Sequence, residues 1–432
     1  MSNLDESVKE ISGPINVVRL EGEINNIKKV IYLFMDMHQD LYDQSECDNI
    51  FAKEIPQYLA DNFLKMNDSN ITYDFFLETI TFQLENVNYG VPFRMDINFK
   101  DIYILRLRKF FNKIFNYNPE TNKVSMSKIF KNIRLHYMDV REYMFRNFDI
   151  KFNEIKYAIG NMQHNQNIQL VQLTQIINNL NDIKNNTMIL LDNTLSLEGQ
   201  AGVKSGISAP AKINKSKIIK YASDNLDKQE NYVDNMKYLI NKISELYNHK
   251  SVQDKMLIEV DIMIKNFKDI VPLCDEIINV VNNIGNVINA HPKYKLTEQY
   301  PNYGLNYDYG INDITISELI LTLKKHTSYL DIKVSDAFLL FMDIYFLRRF
   351  LDKDYITNAI VYTGAYHSLQ YIEILTKDFD FKITHTSYSL IPDMDKLNEE
   401  VLKREVATLS EIFFPPTLSQ CSDVTNFPDL FL

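Results

Sequence analysis

The chain has 432 residues and a formal net charge of −11, from 46 basic and 57 acidic side chains. That length can bury a large core and allows two or three domains. The acid excess argues against a general nucleic-acid binder, which needs Lys and Arg to displace counterions from phosphate. No run approaches about 18 uninterrupted apolar residues, so no membrane span is expected. The polar, acidic opening MSNLDESVKE carries no secretory signature. Cys47, Cys274 and Cys421 are far apart and lack metal spacing, which fits thiols kept in a reducing compartment.

Three regions follow in chain order. Residues 1–150 alternate strand and helix signals. A polar lead precedes the strand Val30–Met35, within the run KVIYLFMDMHQD. A helix is then expected from near Cys47, with Ile50, Phe51, Ile55, Tyr58, Leu59 and Phe63 at three-to-four spacing and Pro56 marking its first turn or a kink. The strand ITYDFFLET comes next, then a basic amphipathic helix over Asp101 to Phe115, and then the strand IRLHYMDV.

Residues 151–295 carry helical seams. Leu173, Ile176, Leu180 and Ile183 form one; Met236, Leu239, Ile243 and Leu246 a second; Val260, Ile264 and Phe267 a third. Between the first two lies LEGQAGVKSGISAPAKINKS, a mobile loop by composition. The region reads as a helical hairpin or bundle inserted into an α/β domain. The seams are too short to argue for a coiled coil, although a protein partner on these helices is one expectation.

Residues 296–432 return to α/β character, with helices Ile314–Tyr329 and Ser335–Leu351 and the strand run NAIVYTGAYHSLQY. Next come a helix Ser368–Lys377, a strand FKITHTSYS and a helix Met394–Ile412. The tail FFPPTLSQCSDVTNFPDLFL is broken by proline and is expected to lie extended over the surface. The fold expected is thus α/β. Its mostly parallel sheet is built from both ends of the chain and interrupted by helices.

Ligands of open α/β sheets bind beyond the carboxyl ends of the strands. Four strand ends carry polar groups there. The first offers Asp36, His38 and Asp40, the second Glu78, the third Asp139 and Arg141, and the last Gly364 and His367. A histidine supplies a metal ligand or a proton carrier near neutral pH, and a carboxylate beside it fixes its tautomer or acts as a base. Arginine holds a carboxylate or phosphate with two prongs. Each residue also has a plainer reading: a structural histidine, a cap at Glu78, an ordinary Asp139–Arg141 ion pair, and a turn glycine at 364. His136, His164, His249 and His291 are expected to pack or bond locally. Phosphate-loop, dinucleotide, serine-elbow and zinc-protease motifs are absent.

The order of these pieces resembles the superfamily of erythromycin esterases, haem-binding ChaN-like proteins and the TraB/TIKI group. The block IVYTGAYHSLQYIEILTKDFDFKIT matches its late VVxxGxxH strand and helix, while Glu78 and Asp139 match its second and third positions. At the first motif Met35 stands where that superfamily has glycine. The Asn-, Ile-, Lys- and Tyr-rich composition and the opening RLEGEINNIKKVIYLFMDMHQD also resemble proteins of mimivirus-like giant DNA viruses.

The strand-end residues and the first resemblance together suggest a hydrolase-like protein in which His38, Glu78 and His367 are divalent-metal ligands or acid–base groups and Asp139 and Arg141 orient them or the substrate. That superfamily includes metalloproteases, metal-independent esterases and haem binders, so it leaves the reaction open. The second implies work in the cytoplasm of an infected cell or in the virion. The competing expectation is a non-catalytic virion or host-interaction protein on an old enzyme fold.

Overall fold

The computed structural model describes residues 9–38, 46–80, 102–115, 117–118, 123–124, 127–164, 168–198, 229–303 and 313–432. Its centre is a six-stranded sheet: β1 (Asn16–Ile24), β2 (Ile27–Asp36), β3 (Tyr73–Ile80), β4 (Ile133–Asp139), β5 (Asn358–Gly364) and β6 (Lys382–Thr386), in the spatial order β6-β1-β2-β5-β3-β4. Strands β2, β5, β3 and β4 are mutually parallel, while β1 runs antiparallel to β2 and β6. Strands buried on both faces need apolar residues at every position, and β2 shows it. Val30, Tyr32 and Phe34 enter one core, and Ile31, Leu33 and Met35 the other.

The polar lead is in fact a strand. Asn16–Ile24 pairs with β2 through a two-residue turn in which Asn25 and Asn26 have φ of 50° and 65°. Asparagine tolerates the left-handed conformation that a tight hairpin demands. Arg19 and Glu21, whose charges disguise the strand, bond to each other. The Arg19 guanidinium also donates to the Tyr32 hydroxyl and the Leu432 carbonyl.

Two helices and the tail cover one face of the sheet. Helix α1 (Ile55–Lys65) has Pro56 in its first turn and starts later than the sequence suggests. Ile50 and Phe51 are exposed. Helix α2 is Tyr103–Asn112. The tail is not merely draped over the surface. Val424, Phe427 and Phe431 are buried in this core, with Phe431 edge-on to Tyr32 at 5.1 Å.

The opposite face carries the helical layer: α3 (Ile150–His164), α4 (Leu170–Glu198), α5 (Gln229–Ser244), α6 (Lys250–Ala290), α7 (Ile316–Asp352), α8 (Ala365–Phe379), α9 (Met394–Lys403) and α10 (Val406–Phe413). These helices share one continuous apolar core with the sheet. The expected pair Ile314–Tyr329 and Ser335–Leu351 is a single helix, α7, opened by a Thr315–Glu318 capping box. Leu330 and Val334 stay buried through its polar middle. The expected helix Met394–Ile412 is instead two, α9 and α10. The glycine-rich segment between α4 and α5 lies outside the described residues.

Lys29 ties the layers together. Its buried ammonium donates to the carbonyls of Phe350, Lys353 and Ile356, closing the end of α7. A cation at a helix C-terminus satisfies the last carbonyls and complements the dipole.

The cysteine expectation is overturned in one respect. Cys47 and Cys421 form a disulfide across a sequence separation of 374. The short strand Glu10–Ser12 pairs with both Lys53–Glu54 and Cys421–Asp423, which brings the two thiols together. Only Cys274 is a free, buried thiol.

Candidate active site

The sheet topology fixes where a crevice forms. β2 and β5 are neighbours, yet the chain leaves β2 for α1 on one face and leaves β5 for α8 on the other. That divergence is the switch point at which open α/β sheets bind ligands. In register, Asp36 at the end of β2 lies opposite Gly364 at the end of β5. On the other side of β5, the ladder between β3 and β4 slips between Leu77 and Ile80, at Glu78. Such irregularities re-aim side chains near functional sites.

Glu78 is the hub. One oxygen accepts from the Thr363 hydroxyl at 2.7 Å and the Gly364 amide at 2.6 Å, and the other accepts from the Arg141 guanidinium at 2.8 Å. Arg141 in turn donates from its amide (3.0 Å), Nε (2.9 Å) and Nη2 (3.1 Å) to Asp139. Two imidazoles face the same glutamate from different elements. His38 Nε2 is 3.7 Å from one oxygen, and His367 Nε2 is 3.4 Å from the other. Each ring is held from behind by a carboxylate on Nδ1: Asp36 at 2.7 Å for His38 and Asp343 at 2.6 Å for His367.

The backbone permits this convergence at two points. His38 has φ of 53°, and this left-handed turn directly after β2 accompanies the return of its ring to Asp36 two residues earlier. Gly364 leaves room for the convergence, since a Cβ there would lie 3.2 Å from His38 Nε2 and 3.3 Å from Glu78 Oε2 and would press on both side chains.

Charge follows geometry. Burial works against a charged His38, but the hydrogen bonds and charges of Asp36 and Glu78 outweigh it and raise its pKa to about 10. His367 is likewise penalised by burial, yet Asp343 and Glu78 raise it. Burial raises the Glu78 carboxyl, but His367, His38 and Arg141 together hold it well below the usual range. His38 is therefore an imidazolium at neutral pH and His367 is shifted toward its charged form, both arrayed around an ionised glutamate. His38, with 37% of its side chain exposed, is the open member of a cluster whose other groups are largely buried.

Of the eight strand-end residues named from the sequence, seven (Asp36, His38, Glu78, Asp139, Arg141, Gly364 and His367) lie in this network, with Asp139 joined through Arg141. Asp40 lies outside the described residues. The sequence reading missed Asp343 as a partner, although it is a lone acid in the apolar run Ala337–Phe350 of α7. Met35 is fully buried in the core on the helical face of the sheet, while Tyr366 points outward against Phe414. Neither replaces a cluster residue.

As metal ligands the groups divide. Histidines that bind metal characteristically have the second ring nitrogen tied to a carboxylate, and His38 and His367 both do. Glu78 fits less well, because the oxygen shared by Thr363 and Gly364 has both lone pairs occupied. Among the described residues, Glu10, Cys47 and Cys421 are the one group of such side chains with ligand atoms mutually within 4.8 Å, a spacing that His38, Glu78 and His367 do not meet together. The disulfide already occupies both of those sulfurs.

Residues 9–432 match a family of unknown function, DUF5847. The chain belongs to this family. Relatives within Acanthamoeba polyphaga mimivirus include uncharacterized protein R706, 39% identical over 99% of this chain and 98% of its own length. Another, uncharacterized protein R161, is 36% identical over the full length of both chains. No solved structure matches. The DUF5847 chain thus falls in a giant-virus family, and among its described residues no helix is long and apolar enough to cross a membrane.

Proposed function

We infer that this DUF5847 protein is a hydrolase acting through acid–base catalysis at the His38–Glu78–His367 cluster. One observation carries the reading: two imidazoles, each fixed on Nδ1 by a carboxylate, turn Nε2 toward one glutamate at the switch point. A structural histidine needs one partner, whereas two convergent, oriented imidazoles make a proton-transfer centre. His38 is the open group and carries the proton, with Asp36 fixing its tautomer. His367 and Arg141 supply positive charge for a developing oxyanion. Glu78 and Asp139 position these groups. The resemblance to the erythromycin esterase, ChaN-like and TraB/TIKI superfamily belongs to this reading, and carboxylic esters are the substrate class it favours.

The test is hydrolysis of a panel of p-nitrophenyl esters between pH 6 and 10.5. With His38 raised to about 10, only its deprotonated fraction serves as base, so turnover is expected to climb across this range. His38→Ala should abolish the climb. An unchanged profile in that variant would sink the assignment. Absence of turnover on every ester would favour the non-catalytic virion or host-interaction protein, with the helical layer as the partner surface.

A metal-assisted version rests on the carboxylate-backed histidines. His38, His367 and Glu78 would then hold a divalent ion able to activate water. Elemental analysis should then find stoichiometric metal in the native protein and none in a His38→Ala, His367→Ala double variant. Metal-free protein from both preparations removes this version and leaves the acid–base one standing. The infected cell's cytoplasm and the virion are the two places of work, and the Cys47–Cys421 disulfide fits the particle better. Detection of the chain in purified particles by mass spectrometry would decide between them.

A further inference from the structure

At the opposite end of the sheet, before the amino end of β5, lies a cavity of about 210 Å³ lined by Lys242, Tyr345, Arg348, Arg349, Lys353 and Tyr355. Four of the six are cations, in a chain whose net charge is −11. Like charges gathered in one cavity repel, so something must favour keeping them there.

Three ordinary explanations fall short. Cations suit the last turn of a helix, but the carbonyls of Phe350, Lys353 and Ile356 at the end of α7 are already capped by Lys29. Salt bridging accounts for one cation only, because Lys353 meets Asp352 at 3.1 Å. That carboxylate is also turned to the amides of Asn248 and His249 ahead of α6. Among the described residues, no carboxylate forms an ion pair with Lys242, Arg348 or Arg349, although Asp352 lies near enough to Arg348 to favour its charge. Packing on rings is the third explanation. Lys242 sits over Tyr345 and Tyr238, and Arg348 over Tyr247. Those contacts leave the guanidinium donors unmet. Arg348 is 3% exposed and donates to the Leu246 carbonyl, yet its Nε is buried without a partner. Arg349 donates to His136 Nδ1 at 3.0 Å, and its Nε too is buried and unpartnered. The two Nε atoms have almost no accessible surface and do not face the cavity, whose four lining cations have one ion pair among them in the described residues, Lys353 with Asp352.

We propose that this cavity is a binding site for a phosphate group, free or carried on a small phosphomonoester. Guanidinium forks match phosphate oxygens in two-pronged contacts, and Lys242 and Lys353 add point charges. The volume exceeds what phosphate alone fills, leaving room for a small ester substituent. The site stands apart from the histidine cluster, which gathers at the carboxyl ends of the same strands, and the argument for it is independent of the hydrolase reading.

Isothermal titration calorimetry of the full chain with inorganic phosphate, and separately with glycerol 3-phosphate, tests the proposal, using sodium chloride at matched ionic strength as control. Saturable binding is expected, weakened about tenfold or more in Lys242→Ala and restored by Lys242→Arg. Lys353→Ala provides a second variant should the first misfold by circular dichroism. Tighter binding of the ester assigns the site to a phosphorylated small molecule, and equal binding to free phosphate. Heat no greater than that of chloride, or equal affinity in native protein and alanine variants, overturns the proposal.

Discussion

Replacing Glu78 by glutamine is expected to destabilise the fold by about 2–4 kcal/mol and, under the proposed hydrolase function, to remove turnover, because among the described residues no other touches so many members of the cluster. Its two oxygens accept from Thr363, Gly364 and Arg141 and face both imidazoles. A glutamine keeps the shape but turns one acceptor into a donor. Whichever way the amide lies, its NH2 meets either the Gly364 amide and Thr363 hydroxyl or the Arg141 guanidinium. At the same time His38, His367 and Arg141 lose the anion they share and are left with one carboxylate each, Asp36, Asp343 and Asp139, inside a buried site where weakened charge pairing is costly. The comparison Thr363→Val separates hydrogen bonding from charge. It deletes one neutral donor and is expected to cost about 1 kcal/mol. Urea unfolding of both variants measures the difference. Equal losses would mean that Glu78 acts as an ordinary hydrogen-bonding residue, and its place as hub would be wrong.

How much of this was legible in the sequence follows from what each element must hide. Strands β2, β3 and β5 are buried on both faces, so their apolar runs announce them, whereas β4 lies at the sheet edge and is partly exposed at Arg134, His136 and Tyr137. β1 is masked by Arg19, Glu21 and Glu23, and the signal that would have exposed it is the Asn25–Asn26 pair, whose tolerance for positive φ suits a tight hairpin. Helix α7 looks like two because its middle is polar on the solvent side, whereas Leu330 and Val334 carry the buried seam across.

At the site, the strand-end residues were legible because position along a parallel strand fixes which end they reach. Asp343 was not, since its role depends on how α7 lies against β5 and α8, a long-range packing choice that no local pattern encodes. The Cys47–Cys421 bridge escaped for the same reason. Its partners meet only because Glu10–Ser12 pairs with strands from both ends of the chain.

Gly364→Ala isolates the geometry of the site from the chemistry of its groups. The backbone there has φ −52° and ψ 141°, which alanine adopts freely, so no conformational penalty is expected. All of the effect must come from the added methyl. It would sit 3.2 Å from His38 Nε2, 3.3 Å from Glu78 Oε2 and 3.6 Å from His367 Cδ2, wedged among the three groups that must converge. His38, the most exposed of them, is the group able to yield. The expected result is a modest stability loss of about 1–3 kcal/mol from overpacking. Under the proposed hydrolase function a loss of turnover on the order of a hundredfold should come with it, as a displacement of roughly 1 Å at a reacting centre produces. The pH profile supplies the decisive readout. With His38 moved off Glu78, one of the two carboxylates raising it is weakened, so its pKa should fall from about 10 toward the ordinary imidazole range. Histidine NMR titration would show that fall directly. A variant that unfolds at the native urea midpoint, keeps full turnover and leaves the His38 titration in place would show that the imidazoles and Glu78 do not function as one unit.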